Sequence, residues 1–310
     1  MERIINGILY EGKRALDQWE VRVWEQAGHR ETTVRPAIIW QEVGTAFEGL
    51  PAGMPPGAYV ITTEELLEQQ RLAAIDAIQR KADAIKSAAQ RAKTACRRAI
   101  KAEGFNELGT LTYREDQTDR ELCKKHFKEF IRRMKKAFGG EFRYCASFER
   151  QKLTRRAMHV HIAMHKFPRH LDAKYKGVKI PAWRVGTVIW RDIVGADNGM
   201  FFVGGKKKDG TYRRNMSLAK MAAYVSKYIM KDYEEAGEGT NRYSRSNGVP
   251  VTKPVLMRFN GCMLADLIGL VFQLGEGDVI VSHNASELHG SYWLCTEPEP
   301  KYVKRIKHPA

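Results

Sequence analysis

The sequence predicts an α+β fold, a central antiparallel β-sheet with helices packed on one face, from three observations. Residues 142–164 alternate apolar and polar side chains on either side of a basic turn, the pattern of a β-hairpin. An amphipathic stretch, 118–138, separates this hairpin from an earlier alternating run, Leu108–Tyr113. A second amphipathic stretch follows the hairpin, from Ser217 to about Asp232. Strand, helix, hairpin and helix in that order make one antiparallel layer under helices.

The elements follow from residue types in chain order. Residues 1–62 mix short apolar runs with Pro51, Pro55, Pro56 and Gly57, which reads as a small strand-rich lobe and then a linker. A long helix, 63–104, starts from Thr62 or Thr63 as cap with Glu64 and Glu65 in its first turn. Its positions Ile75, Ile78, Ala82, Ile85, Ala89, Ala92 and Cys96 alternate spacings of three and four, an alanine-rich heptad seam. Such a seam serves a coiled coil, a dimer contact or packing on the chain's own domain. Residues 105–250 carry the mixed α/β pattern, and 251–310 read as a C-terminal extension. Thr118 and Glu121 have capping-box spacing, Cys123, Phe127, Phe130, Met134 and Phe138 form the stripe of that helix, and Gly139-Gly140 ends it.

Within the hairpin, parity assigns faces. Phe142, Tyr144, Ala146 and Phe148 share one side, and Arg143, Cys145, Ser147 and Glu149 share the other. On the returning strand His159 and His161 point together, away from Met158, Val160 and Ile162. Glu149, His159 and His161 thus stand opposite the apolar side chains, a carboxylate and two imidazoles suited to a divalent metal with open positions. His165 has the same parity but lies about 13 Å further along a straight strand. In the last helix Leu218, Ala222, Val225 and Ile229 form the packing stripe, and Tyr224, Lys227, Tyr228 and Lys231 share a separate arc. A phenol is a poor nucleophile until cations or a metal favour its phenolate, and Lys227 and Lys231 are placed to do so.

Charge points to the partner. The chain carries a formal net charge of +16, and residues 150–231 alone hold 19 Lys and Arg against 4 Asp and Glu. Positive charge concentrated beside the histidines and tyrosines is the footprint of a polyanion. No run approaches the ~18 apolar residues of a membrane span. The first residues, MERIINGILYEGKR, lack the apolar block of a signal peptide. Cys96, Cys123, Cys145, Cys262 and Cys295 form no CxxC pair, which fits a reducing cytoplasm without disulfides or a zinc ribbon. The basic turn Gly204–Gly210 is not a Walker loop, and no such loop occurs elsewhere in the sequence.

Three segments, LGTLTYRE, MHVHIAM and AAYVSKYIMK, occur in this order. They resemble the motifs of HUH-type rolling-circle replication initiators, the nicking proteins of single-stranded DNA phages, filamentous phages among them, and of small plasmids. The first motif falls on Gly109–Tyr113, the second on His159 and His161, and the third on Tyr224 and Lys227, with Tyr228 giving a two-tyrosine form. Glu149, the basic turn and the histidine pair match the family's metal motif, except that Arg156 or its neighbour stands where relatives commonly carry glycine. The likeness covers about 105–232, with a weaker echo at Asn241–Gly248 (NRYSRSNG).

The resemblance implies an HUH, ferredoxin-like sheet with the tyrosine helix near the metal. It implies a site-specific single-stranded DNA nickase and ligase that initiates rolling-circle replication through a 5′-phosphotyrosine and a free 3′-OH. Tyr224, Tyr228 and Lys227 are the implied catalytic residues, and Glu149, His159 and His161 the implied ligands of Mg2+ or Mn2+. Lys231, Arg150, Lys152, Arg155, Arg156, Thr110 and Thr112 are the expected DNA contacts. The expected partners are single-stranded or hairpin origin DNA and a host helicase and polymerase, in a bacterial cytoplasm and with no membrane. Relaxases and single-strand transposases share this chemistry. A relaxase usually shows three histidines and an early tyrosine, and such a transposase is much shorter. A basic DNA-binding protein without catalysis is the alternative from another class.

Overall fold

The computed structural model describes residues 2–6, 8–45, 63–140, 142–151, 156–172, 178–206, 212–213, 215–231, 233, 241–248 and 250–298. In chain order the elements begin β1 (Glu2–Ile5), β2 (Ile8–Gln26), β3 (His29–Thr45), α1 (Thr63–Glu103), β4 (Glu107–Tyr113), α2 (Arg120–Ala137), β5 (Tyr144–Arg150) and β6 (Met158–Met164). They continue β7 (His170–Asp172), β8 (Lys179–Pro181), α3 (Ala182–Val194), β9 (Gly199–Val203), β10 (Gly205–Lys206), β11 (Tyr212–Arg213) and α4 (Leu218–Lys231). The last are β12 (Tyr243–Arg245), β13 (Val255–Asn260), α5 (Leu264–Leu274), β14 (Asp278–Ser286) and β15 (Ser291–Pro298). The expected linker prolines lie outside the described residues, as do Lys207–Gly210 of the basic turn. The chain divides into two compact units, residues 70–251 and residues 1–69 with 252–310.

The unit of residues 70–251 is built on a five-stranded antiparallel sheet in the order β12-β5-β6-β4-β9. The β5–β6 hairpin and its parity are as the alternation reads. Phe148, Val160, Ile162, Leu111 and Phe201 bury one face under α2 and α3, against Phe127, Phe130 and Trp190. Close approach of α3 needs Gly186, because a Cβ there would collide with the Phe201 ring. Trp190 Nε1 donates to the Thr112 carbonyl at 2.8 Å and pins α3 to β4.

Helices on one face only is corrected by the structure, since α1 and α4 cover part of the opposite face. Cys96, Ala99 and Ile100 of α1 pack with Met221, Ala222, Val225 and Ile229 of α4 over Leu108, Cys145 and Ala163 of the sheet. Small side chains at Cys145 and Ala163 let the helices seat closely, so both faces of the central strands are buried. The 41-residue α1 follows β1–β3 in the chain. Its heptad seam is split: Ala89 and Cys96 are buried, while Ile75 and Ile78 are 52% and 71% exposed. The α2 cap also differs from the expected Thr118. Asp119 accepts from the backbone N–H groups of Glu121 and Leu122 at 2.8 and 3.1 Å. A charged carboxylate suits the positive end of the helix better than a hydroxyl.

In the other unit a six-stranded sheet runs β1-β2-β3-β15-β14, with β13 added beside β2. The segments read separately as 1–62 and 251–310 therefore share one sheet. Leu267 and Val271 of α5 pack on Trp19, Val21, Val34, Tyr292 and Leu294. No described helix is long and apolar enough to cross a membrane.

Candidate functional site

Strand pairing gathers the polar residues of the α4 face. Across β5–β6, Glu149 stands opposite His159 and Ser147 opposite His161. Across β4–β6, Thr112 stands opposite His159 and Thr110 opposite His161, so both expected threonines flank the histidines from the far side. Ser147 Oγ donates to the Val225 carbonyl at 2.8 Å, bonding α4 to β5. Sequence reading passed over Ser147, although it shares the parity of Glu149. The start of α4 is marked by Ser217, whose carbonyl accepts from Met221 N at 2.9 Å.

With α4 held there, its tyrosines meet the imidazole of His161. The Tyr228 ring stacks on His161 with centroids 3.9 Å apart and planes 11° apart. Tyr224 meets both rings edge-on, at 5.6 Å from His161 and 5.3 Å from Tyr228. The helix arc separated Tyr228 from the packing stripe, and the structure shows it nonetheless buried, under the sheet's imidazole rather than in the apolar core. Tyr224 is half-buried. Lys227 Nζ lies 4.4 Å from the Tyr224 ring centroid and 4.8 Å from that of Tyr228, within cation–π range of both.

Glu149 is the electrostatic centre. It is paired with Lys231 Nζ at 2.6 Å and with His161 Nε2 at 2.9 Å. Burial opposes its charge, but the hydrogen bonds from His161 and Lys231 prevail and hold the carboxyl below its ordinary range. Burial lowers the pKa of His161 despite the carboxylate beside it. Burial, then the neighbouring Tyr224 hydroxyl, pushes the Tyr228 phenol far above its usual value. As the structure stands, Tyr228 is held protonated.

The remaining expected contacts divide. Lys231, read as a DNA contact, is committed to Glu149. Arg150 has the parity of Phe148 and donates to the Thr118 carbonyl at 2.8 Å, so it is not brought to the tyrosines. Arg156 is exposed at the end of the turn, and Lys152 and Arg155 lie outside the described residues. His165 stacks on Phe105 at 5.3 Å, apart from the cluster.

Among the described residues no group of three or more His, Cys, Asp or Glu side chains is arranged to hold a metal ion. Of the three expected ligands, Glu149 and His161 touch, and the His159 ring lies 6.4 Å from that of His161. The donor set nevertheless fits a divalent cation in kind. Glu149 already holds one cation, the Lys231 ammonium, and the buried Nδ1 of His161 has no hydrogen-bond partner.

Chemically, the site combines a presented phenol, two ammonium groups and a carboxylate–imidazole pair on one rigid face. No curated protein and no solved structure shows a significant match to the chain. Residues 106–233, about two fifths of the chain, match the model of a family described as replication-associated protein ORF2, and this segment contains the sheet strands β4–β6 and the whole of α4.

Proposed function

We propose that the protein is a site-specific single-stranded DNA nickase and ligase that initiates rolling-circle replication, of the HUH type. One observation carries this reading: a tyrosine pair seated on a buried imidazole, which is bonded to a carboxylate, within the field of two lysines. The match of this segment to a replication-associated family supports it.

Tyr224 is the better placed nucleophile, because it is half-buried while Tyr228 is covered by its neighbours. Its oxygen attacks the scissile phosphorus, giving up its proton. The bond from phosphorus to the 3′ oxygen breaks, and that oxygen takes a proton to become the free 3′-OH. The 5′ end stays on Tyr224 as a phosphotyrosine, whose bond energy is conserved for rejoining. Lys227, beside both rings, favours the phenolate and balances charge on the phosphate. Tyr228 is placed for a second cut once the first tyrosine is loaded.

Glu149, His161 and His159 would hold Mg2+ or Mn2+, which when bound polarises a phosphate oxygen. Origin DNA, as single strand or hairpin, is the proposed substrate, with strand separation and synthesis left to a host helicase and polymerase. The test is to incubate the protein with single-stranded origin DNA and Mn2+ and to look for a covalent protein–DNA band on a denaturing gel. Folded protein that yields no band on any plausible origin sequence would end this reading. It would favour a basic DNA-binding protein without catalysis.

A further inference from the structure

The motif echo at Asn241–Gly248 is not used by the tyrosine chemistry, yet it builds the wall of a cleft. Its strand β12 is the edge of the five-stranded sheet, paired only with β5. The wall is firmly tied: Tyr144 Oη lies 3.1 Å from Ser244 Oγ, and Ser246 Oγ accepts from Tyr144 N at 3.0 Å. Between this edge and α2 lies a cleft of about 550 Å3, within the range of sites that enclose a small ligand or one unit of a polymer.

Lys124, Lys128 and Arg245 bring three cations to the cleft, Tyr144 and Tyr243 bring aromatic surface, and Asn241 brings an amide. No acidic side chain is among the described residues lining it. Glu121 pairs with Lys124 at 2.7 Å from outside the lining, a solvent-exposed pair across one helical turn that a phosphate can displace. Cations without a counter-charge require an anion. Aromatic faces with an amide suit a heterocycle, and a nucleotide supplies both parts. A base paired and stacked in a duplex cannot enter such a cleft, so the strand must be single.

We propose that this cleft is a second nucleic-acid site, which takes one nucleotide of a single strand and its adjoining phosphates. Placement connects it to the tyrosines. Phe148 lines the cleft, and the next residue, Glu149, sits in the tyrosine site on the opposite face of the same strand. A single strand rounding the β12 edge therefore passes from one face to the other. The cleft anchors the strand flanking the cut and makes binding depend on more DNA than the scissile step. The inference concerns DNA binding and holds whether or not the tyrosines cut.

The experiment compares the full chain with a variant carrying Lys124→Met, Lys128→Met and Arg245→Met, using anisotropy of a short fluorescent oligodeoxythymidine over a salt series. Binding should weaken at least about tenfold, and the slope of log affinity against log salt should flatten by about 2, near 0.7 for each lost phosphate contact. A thermal melt checks the fold, and Arg245→Met alone serves if the triple variant melts early. Irradiating wild type with an oligonucleotide containing 5-iodouracil should crosslink Tyr243 or Tyr144, read by mass spectrometry. Unchanged affinity and slope in a folded variant, or crosslinks only elsewhere, overturn the proposal. So does a deoxynucleoside monophosphate that competes as tightly as the oligonucleotide, since that marks a free-nucleotide site. Weakened binding without a tyrosine adduct in wild type supports the cleft and counts against nicking alone.

Discussion

The two faces of the five-stranded sheet are built by the same strands, and neighbours in sequence divide between them. Val160 and Ile162 point under α2 and α3 into a core of Phe127, Phe130 and Trp190, while His161 between them points to α4. The first face buries only apolar groups in its centre, each worth about 1.5–3 kcal/mol when fully buried. On the second face Ser147, Glu149 and His161 are buried as well, and each is bonded: to a helix carbonyl, to an ammonium and imidazole, and to a carboxylate. Buried polar groups are tolerable only on such terms. The comparison teaches that one face supports the fold so that the other can hold polar chemistry in place.

The largest expected effect falls on the polar face. Tyr224→Phe should lower adduct formation by about 10^3-fold or more, the scale of losing a nucleophile, with the melt unchanged. Tyr228→Phe should leave the first adduct intact. The reverse outcome on the denaturing gel would exchange their roles. His161→Ala should likewise abolish the adduct while DNA binding in an anisotropy assay persists.

The next residue tests the other face. Ile162→Ala opens a cavity in the apolar core and should cost about 2–5 kcal/mol in urea unfolding, with the adduct rate per folded molecule retained. A variant at Ile162 that keeps its stability but loses cutting would break the division of labour between the faces.

That division was legible in the sequence because strand parity is strict. Glu149, His159 and His161 fall on one side by counting alone, and the β5–β6 register agrees. The α4 seam of Ala222, Val225 and Ile229 was legible for the same kind of reason. What escaped depends on contacts between distant segments. A helical arc shows that Tyr228 avoids the seam, but not that an imidazole from another element covers it. Parity marks Cys145 as opposite the apolar side, but its small size, which admits α1 and α4, gains meaning only once those helices are placed. Strands β13 and β15 pair with β2 and β3 across more than two hundred residues, and no local pattern encodes such a partner. The α2 cap was missed by one position, because Thr118 and Asp119 are both good caps and only the backbone chooses. Asp119→Ala should therefore cost about 1 kcal/mol of stability in the same urea titration, and Thr118→Ala close to none.

The smallest effect concerns acid, and it asks whether the supporting face is as inert as its apolar centre implies. On α2, His126 Nδ1 lies 3.1 Å from Tyr113 Oη, with Trp190 edge-on to its ring. Burial lowers the pKa of His126 below its ordinary 6.5, so the folded protein takes up this proton at lower pH than the unfolded chain does. Its contribution to stability is present above about pH 6.5 and is lost as pH falls through the folded value. His161 shifts in the same direction by burial, so both faces lose stability on acidification. His126→Gln, measured by urea unfolding between neutral and mildly acidic pH with a chelator present, should flatten that slope only in part. If it removes the slope entirely, the acid sensitivity belongs to the supporting face, and the polar face is the more inert of the two.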